Sequence, residues 1–427
     1  MSINTYDIII IGGGPAGTGI FLKALKDGKL SDFLNKKIAL IEKSERLIKG
    51  NITNYHVNSD TFSSVFLECL EGDTPKQIDV ISLNSEIEDI QKYKDKSIPL
   101  NLLNNYYNKL GDLLKNHLNK FNNCHLYMNN AANRIVKSNE GYKVFLENNK
   151  EPIVAKKIVI TSGANPKNID LNKFHIAKDI CLANFSDKII HSDSILKNGV
   201  PNHLEQRLQE EPKIIILGGS HSAFSVAHYF LHHQKNYNFK AQGISIWCNE
   251  KPKIYFPTKQ DALASGYDDF TDQDFCPITN KLYRLAGLRM DGRELYMNML
   301  GLNNTTKENR VCLNLFSEND TALVKELETS TLIVTALGYT FNMIPLFDDS
   351  GNQLRFIGEE TGHWVNNNCE ILDIEKNVVP GIFASGLASG FIPTGDLGGE
   401  PTFEGQTNGI WYYQNALADL ILKNLLA

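Results

Sequence analysis

Residues 7–19 read DIIIIGGGPAGTG, and this stretch decides the fold. Ile8, Ile9, Ile10 and Ile11 form an apolar, β-branched run too short for a helix, which predicts a strand buried on both faces. The run passes into Gly12-Gly13-Gly14-Pro15-Ala16-Gly17, a G-x-G-x-x-G turn that opens a helix over residues 16–26. Gly12 permits the tight turn. Gly14 lets the backbone approach a pyrophosphate, and Gly17 lets the helix lie close to the strand. Free N–H groups at the helix start, around Pro15 and Ala16, then face the phosphates. A second strand, residues 37–41, ends at Glu42 with Lys43 beside it. An acid at that place accepts hydrogen bonds from the adenosine ribose hydroxyls. Strand, turn, helix, strand and acid fall in order, so a dinucleotide unit is expected rather than a plain βαβ unit with a glycine-rich turn.

The composition is that of an ordinary soluble globular chain. The chain has 427 residues, 42% hydrophobic and 22% charged, long enough for more than one domain. A net charge of −6 argues against nucleic-acid binding through bulk charge. No apolar run approaches the roughly 20 residues of a membrane helix, and the N-terminus lacks the basic region of a signal peptide. Seven cysteines are scattered singly with no C-x-x-C, which predicts a reduced, cytoplasmic protein without a disulfide framework. No metal-ligand spacing occurs.

Residues 43–61 are polar and rich in Asn and Asp, the composition of a loop. In a dinucleotide fold such a loop lies beyond the strand ends, near the ligand, so Asn58 and His56 are candidate catalytic residues. The same side chains equally suit a loop that satisfies its own backbone. Apolar residues at helical spacing from Leu103 to Leu118 predict an amphipathic core helix. Short strands follow, the last running into Thr161-Ser162-Gly163.

A second unit begins at Lys213. Ile214-Ile215-Ile216-Leu217 runs into Gly218-Gly219-Ser220-His221-Ser222-Ala223, an apolar helix and a strand at residues 244–248. Ser220 and Ala223 replace the second and third glycines, and Ala is a common third residue. Cys248 stands where the first unit has Glu42. With no acid there, Lys251 and Lys253 can meet a 2′-phosphate, which favours NADPH over NADH, although Glu250 opposes them and both lysines suit a solvated surface. Residues 257–302 read as an insertion carrying Arg284, Arg289 and Arg293, whose spacing suits one helix face and the binding of a nicotinamide nucleotide or an anionic substrate; surface salt bridges are the plainer reading. The chain returns through a strand ending at Gly338, another ending near Gly386, a glycine-rich loop and a final helix over residues 402–425.

In order along the chain, these motifs resemble flavoproteins with two dinucleotide-binding domains, a group that includes the pyridine-nucleotide–disulfide reductases and the class B flavin monooxygenases. The likeness rests on Gly12 to Gly17 with Glu42, on Thr161-Ser162-Gly163, on Gly218 to Ala223, on Ala336-Leu337-Gly338-Tyr339-Thr340-Phe341-Asn342 and on Gly381-Ile382-Phe383-Ala384-Ser385-Gly386. The last motif normally continues with an Asp that touches the flavin; Leu387 stands there, and Asp396 is the nearby candidate substitute. Disulfide reductases pass electrons to paired cysteines, which this chain lacks. Gly218-x-Ser220-His221-Ser222-Ala223 looks like the nucleotide turn of N-hydroxylating monooxygenases. Residues 185–192 and Ala336-Leu337-Gly338-Tyr339 also look like monooxygenase stretches, each with a substitution.

The resemblance implies an α/β fold with two Rossmann-like dinucleotide-binding domains, the NAD(P)H domain nested within a discontinuous FAD domain. Residues 1–185 and 331–427 would form the FAD domain, and 205–330 the nested domain. It implies FAD and NADPH as cofactors, dioxygen and a small molecule as partners, and transfer of one oxygen atom through a peroxyflavin. Cofactor contacts fall to Gly12, Gly14, Pro15, Ala16, Gly17, Glu42, Lys43, Ser162, Gly163, Gly338, Gly386, Leu387 and Asp396, and, in the nested domain, to Gly218, Ser220, His221, Ser222, Ala223, Lys251 and Lys253. Such flavoproteins often form homo-oligomers. Two other functions are open at this stage: an FAD/NAD(P)H-dependent reductase without oxygen insertion, and a flavin-binding protein without turnover.

Overall fold

The computed structural model describes residues 4–177, 179–232, 237–317 and 320–427. They form two α/β units, the second inserted in the first. In the larger sheet the strand order is Leu346–Phe347, Ala132–Ser138, Gly141–Leu146, Ile153–Ile160, Thr5–Ile11, Ile38–Glu42, Cys124–Met128. Strand Ile153–Ile160 forks this sheet. Its first part pairs antiparallel with Tyr142 to Val144, and its last part pairs parallel with Ile382 to Ala384. The centre of the sheet is parallel, with Ile8 beside Ile38 and Ile11 beside both Ile41 and Ile160. Parallel pairing needs a crossover, which the helix Pro15–Lys26 supplies. This register brings Gly12, Glu42 and Thr161 together at the carboxyl edge of the sheet, where ligands bind in open α/β folds.

The smaller sheet is wholly parallel, in the order Ile189–His191, Leu332–Thr335, Ile214–Leu217, Ile244–Cys248, Val311–Leu315. Alternate residues of its strands serve two separate cores, as the two-residue period of a strand requires. Ile214, Ile216, Ile244, Ile246, Leu332 and Val334 face one. Ile215, Leu217, Trp247 and Ile333 face the other. The sequence expectation places the nested unit at 205–330, whereas the strands Ile189–His191 and Leu332–Thr335, on either side of those limits, both lie in the smaller sheet.

Two local expectations need correction. Helical structure at the C-terminus starts at residue 410, not 402, with a π-helical turn at Tyr412–Ala416 before the α-helix Leu417–Leu426. Gly405 and Gly409 weaken any helix over residues 402–409, and side chains of that segment are engaged elsewhere: Thr402 Oγ1 donates to Asp274 Oδ1 at 2.6 Å and Asn408 Oδ1 accepts from the Ala388 N–H at 3.1 Å. Arg284, Arg289 and Arg293 do not share a helix face, because the helix Met290–Leu300 begins after the first two. No helix among the described residues is long and apolar enough to cross a membrane.

Candidate functional site

The first glycine turn is shaped by what it excludes. Gly12 has φ of +108°, and a Cβ there would lie 2.3 Å from the Thr161 carbonyl oxygen. A Cβ on Gly17 would lie 1.9 Å from the Gly12 carbonyl oxygen, so glycine alone lets the helix approach the strand this closely. Gly14 differs. Its φ of −73° suits any residue, and a Cβ there would meet nothing nearer than Gly50 Cα at 3.8 Å. The helix starting at Pro15 and Ala16 has no side-chain cap and no acid in its first turn. An uncapped helix start beside bare backbone and open space fits a pyrophosphate. Glu42 is buried and accepts from the Gly13 N–H at 2.6 Å and the Ser44 N–H at 2.8 Å. These bonds fix both carboxylate oxygens at the turn while leaving lone pairs for ribose hydroxyls. Lys43 is exposed beside it. These residues fit the adenosine and pyrophosphate half of FAD.

The second turn repeats the first. Gly218 has φ of +128°, and its Cβ would lie 2.3 Å from the Ala336 carbonyl oxygen. A Cβ on Gly13 would meet Glu42 Cβ at 3.0 Å, and one on Gly219 would meet Cys248 Cβ at 2.6 Å. Glu42 and Cys248 therefore hold equivalent places, and the second has no carboxylate. Ser220 is exposed, His221 and Ser222 are half-buried, and Ala223 is buried. Ala223 stands where the first turn has Gly17 and is buried. Lys251 is exposed, whereas Lys253 Nζ lies 5.4 Å above the Tyr283 ring, turned toward the insertion.

The exit and return turns are joined. Ser162 Oγ donates to the Asn342 carbonyl oxygen, and the Asn342 N–H donates to the Gly163 carbonyl oxygen at 2.9 Å. The Gly338 carbonyl oxygen accepts from the Lys167 N–H at 3.0 Å. A Cβ on Gly386 would lie 3.4 Å from Ala16 Cβ, so this turn lies over the start of the first helix. Leu387 beside it is half-buried, and Asp396 is exposed on the short turn Gly395–Leu397.

Between the two units runs a polar seam. Asn58 Nδ2 donates to Asp291 Oδ2 at 2.8 Å, tying the 43–61 loop to the helix Met290–Leu300. His56 is exposed, and its backbone N–H donates to the Leu196 carbonyl oxygen at 2.8 Å. His221 Nε2 accepts from the Arg289 N–H at 3.1 Å. Burial and the Arg289 charge hold the His221 imidazole below its ordinary pKa, with Asp60 opposing them.

Two parts of the seam left no local signal in the sequence. Tyr55 Oη donates to Asp193 Oδ1 at 2.5 Å, Tyr339 Oη donates to the same atom at 3.1 Å, and Lys197 Nζ lies 2.9 Å from Asp193 Oδ2. Burial alone would raise the Asp193 carboxyl, but bonds from Tyr55, Lys197 and Tyr339 outweigh it and hold the group below the usual carboxylate range. His191 Nδ1 accepts from the Asp193 N–H at 3.1 Å and caps the helix Ser192–Asn198. The second part is Glu400, 3% exposed, whose carboxylate accepts from the Leu285 N–H at 3.1 Å and the Ala286 N–H at 2.8 Å. It clamps the insertion to the loop after Gly386. Glu400→Ala leaves the Leu285 and Ala286 N–H groups without their acceptor and is expected to cost about 1–2 kcal/mol in denaturant unfolding, with Glu400→Gln losing about half of that.

The geometry agrees with what the chain is similar to. The family model for pyridine nucleotide-disulphide oxidoreductases matches residues 6–246. A CMP-5′-(3-aminopropyl)phosphonate hydroxylase from Streptomyces rubellomurinus is 24% identical over 99% of this chain and 98% of its own. Among solved structures, the ornithine N-hydroxylase of Kutzneria sp. 744 superposes with a TM-score of 0.53 at 12% identity, covering 99% of both chains. The cadaverine monooxygenase of Erwinia amylovora superposes with a TM-score of 0.56 at 13% identity, covering all of this chain and 95% of its own.

Proposed function

This chain belongs to the pyridine nucleotide-disulphide oxidoreductase family, and from that premise we propose that it is an FAD-dependent, NADPH-using monooxygenase that hydroxylates the amine of a small molecule. One observation carries the reading: two glycine turns of matching geometry lie in one chain whose seven cysteines are all free. A disulfide reductase needs a cysteine pair to receive electrons. The full-length hydroxylase relative supports the oxygenase branch, and the ornithine N-hydroxylase and cadaverine monooxygenase structures share the fold of this chain.

In this reading Gly12, Gly14, Pro15, Ala16 and Gly17 hold the FAD pyrophosphate, Glu42 and Lys43 its ribose, and Ser162, Gly163, Gly338, Gly386, Leu387 and Asp396 its flavin side. Gly218, Ser220, His221, Ser222 and Ala223 hold NADPH, with Lys251 and Lys253 at its 2′-phosphate. Bound FAD supplies two-electron reduction by the nicotinamide and activation of dioxygen. Asn58 and His56 lie on the loop facing that chemistry. Asn58 acts by fixing the loop to Asp291. The overall reaction takes an amine, dioxygen, NADPH and a proton to a hydroxylamine, NADP⁺ and water, so one atom of dioxygen enters the substrate and the other leaves as water.

The test uses the FAD-loaded chain with NADPH, ¹⁸O-labelled dioxygen and 3-aminopropylphosphonate, ornithine or cadaverine as amine. The expected product gains one ¹⁸O atom. NADPH consumption with every product unlabelled would assign the chain to the reductases instead.

A further inference from the structure

Resting on the reading above, we infer that Arg284 and Arg289 form a recognition point for a phosphate- or phosphonate-type dianion carried by the amine substrate. Both residues are half-buried at the seam between the insertion and the loop leading to the C-terminal helix. Among the described residues neither makes an ion pair with a carboxylate, although the chain carries 49 Asp and Glu against 43 Lys and Arg. Burying part of a guanidinium costs free energy unless a counter-charge meets it.

Both groups are held in place by bonds that use only some of their donors. Arg284 Nη1 donates to the Gly398 carbonyl oxygen at 2.7 Å and lies 3.4 Å from Cys276 Sγ. Its Nη2 lies 3.5 Å from Tyr412 Oη, in the π-helical turn. Arg289 Nη2 donates to the Arg284 carbonyl oxygen, and its guanidinium lies 4.2 Å above the Tyr255 ring. A guanidinium has five N–H donors in a planar fork suited to two oxygens of one anion. Glu400, a buried carboxylate beside them, is bound to the Leu285 and Ala286 N–H groups and makes no ion pair with either guanidinium. Arg289 is also bonded through its backbone to His221 of the nucleotide turn, and Arg284 reaches the start of the C-terminal helix. The pair thus stands between the second nucleotide turn and the start of the C-terminal helix.

The nicotinamide nucleotide is the other source of such an anion, and one titration separates them. The oxidised, FAD-loaded chain, saturated with NADP⁺, is titrated calorimetrically with 3-aminopropylphosphonate and with butylamine, which has a similar reach and no anion. Wild type is expected to bind the phosphonate at least tenfold more tightly than butylamine. Arg289→Gln removes at least tenfold of that affinity and leaves the NADP⁺ dissociation constant within twofold. Arg289→Lys keeps the charge without the fork, and its threefold or larger loss decides the matter if the glutamine variant fails to retain flavin. Equal affinity of wild type for the two amines, unchanged phosphonate binding in the variants, or a loss of NADP⁺ affinity in its place would each overturn the inference. No turnover is involved, so these outcomes are independent of whether labelled oxygen enters a product.

Discussion

Gly14→Ala is expected to fold like the wild type and to bind FAD at least tenfold more weakly, whereas Gly17→Ala loses the turn itself. The two glycines are three residues apart and do opposite work. Gly14 sits at φ −73° and ψ −171°, a conformation alanine adopts without strain. Its added methyl would point into open space, 3.8 Å from Gly50 Cα, so the protein loses nothing. That space is where the pyrophosphate must approach the backbone, and a methyl group there separates the phosphate from the helix N–H groups. FAD affinity should fall by at least tenfold, with the unfolding midpoint of the flavin-free protein within about 1 °C of wild type, a shift of under about 1 kcal/mol. In Gly17→Ala the methyl would lie 1.9 Å from the Gly12 carbonyl oxygen and 2.6 Å from Thr161 Oγ1. Neither is the free end of a flexible chain: Gly12 is backbone, and Thr161 Oγ1 is held by the Ile11 and Gly12 carbonyl oxygens at 2.9 and 2.8 Å. The helix must move off the sheet, at a cost of about 3 kcal/mol or more. Visible absorbance reports flavin and thermal unfolding reports the fold. An unchanged FAD dissociation constant in Gly14→Ala would remove the pyrophosphate from this turn.

This contrast also shows what was legible in the sequence. The roles of Gly12 and Gly17 follow from short-range geometry that any strand–turn–helix must satisfy, so both glycine turns and the residues opposite them, Glu42 and Cys248, could be placed by spacing alone. The apolar runs at Ile8 to Ile11 and Ile214 to Leu217 announced buried parallel strands, and they pair as such. The seam could not be read this way. Glu400 meets Leu285 from 115 residues away and Tyr339 meets Asp193 from 146, and no periodicity records a contact of that span. The arginines misled for a related reason. Their spacing of 5 and 4 residues suits a helix, but the helix begins at Met290, and what fixes Arg284 is a carbonyl oxygen at Gly398. At the C-terminus the apolar pattern announced a helix correctly, while its start was set by Thr402 and Asn408 bonding to distant segments.

Asp193→Ala is expected to destabilise the chain by about 3 kcal/mol, because three partners converge on this one buried carboxylate. Tyr55 comes from the 43–61 loop, Lys197 from the next turn of its own helix and Tyr339 from the return strand, so the group ties together segments on either side of the nested unit. Removing it strands the Lys197 ammonium, on a side chain 20% exposed, and leaves Tyr55 and Tyr339 only their long 3.4 Å contact with each other. Both phenols stay protonated at neutral pH and so remain donors: burial first, then Tyr339 and Asp193, push Tyr55 well above the ordinary phenol range, and burial, opposed by the Tyr55 bond and helped by Asp193, pushes Tyr339 up to about 12. The pH dependence has a definite sign. The folded carboxyl is held below its unfolded value of about 3.9. Its contribution is therefore fully present above that value and is lost as the pH falls through the lower folded one. Asp193→Asn, which keeps the shape and removes the charge, should accordingly show a constant deficit against wild type from pH 7 to pH 5. That deficit should shrink below about pH 4, where the wild-type carboxyl also takes up a proton. A deficit that persists unchanged to pH 3 would mean that the side chain acts by packing alone. Because the carboxylate fixes how the return strand meets the loop beside the first glycine turn, the same variant should also slow hydride transfer from NADPH to bound flavin in stopped-flow absorbance, at a pH where stability is ample.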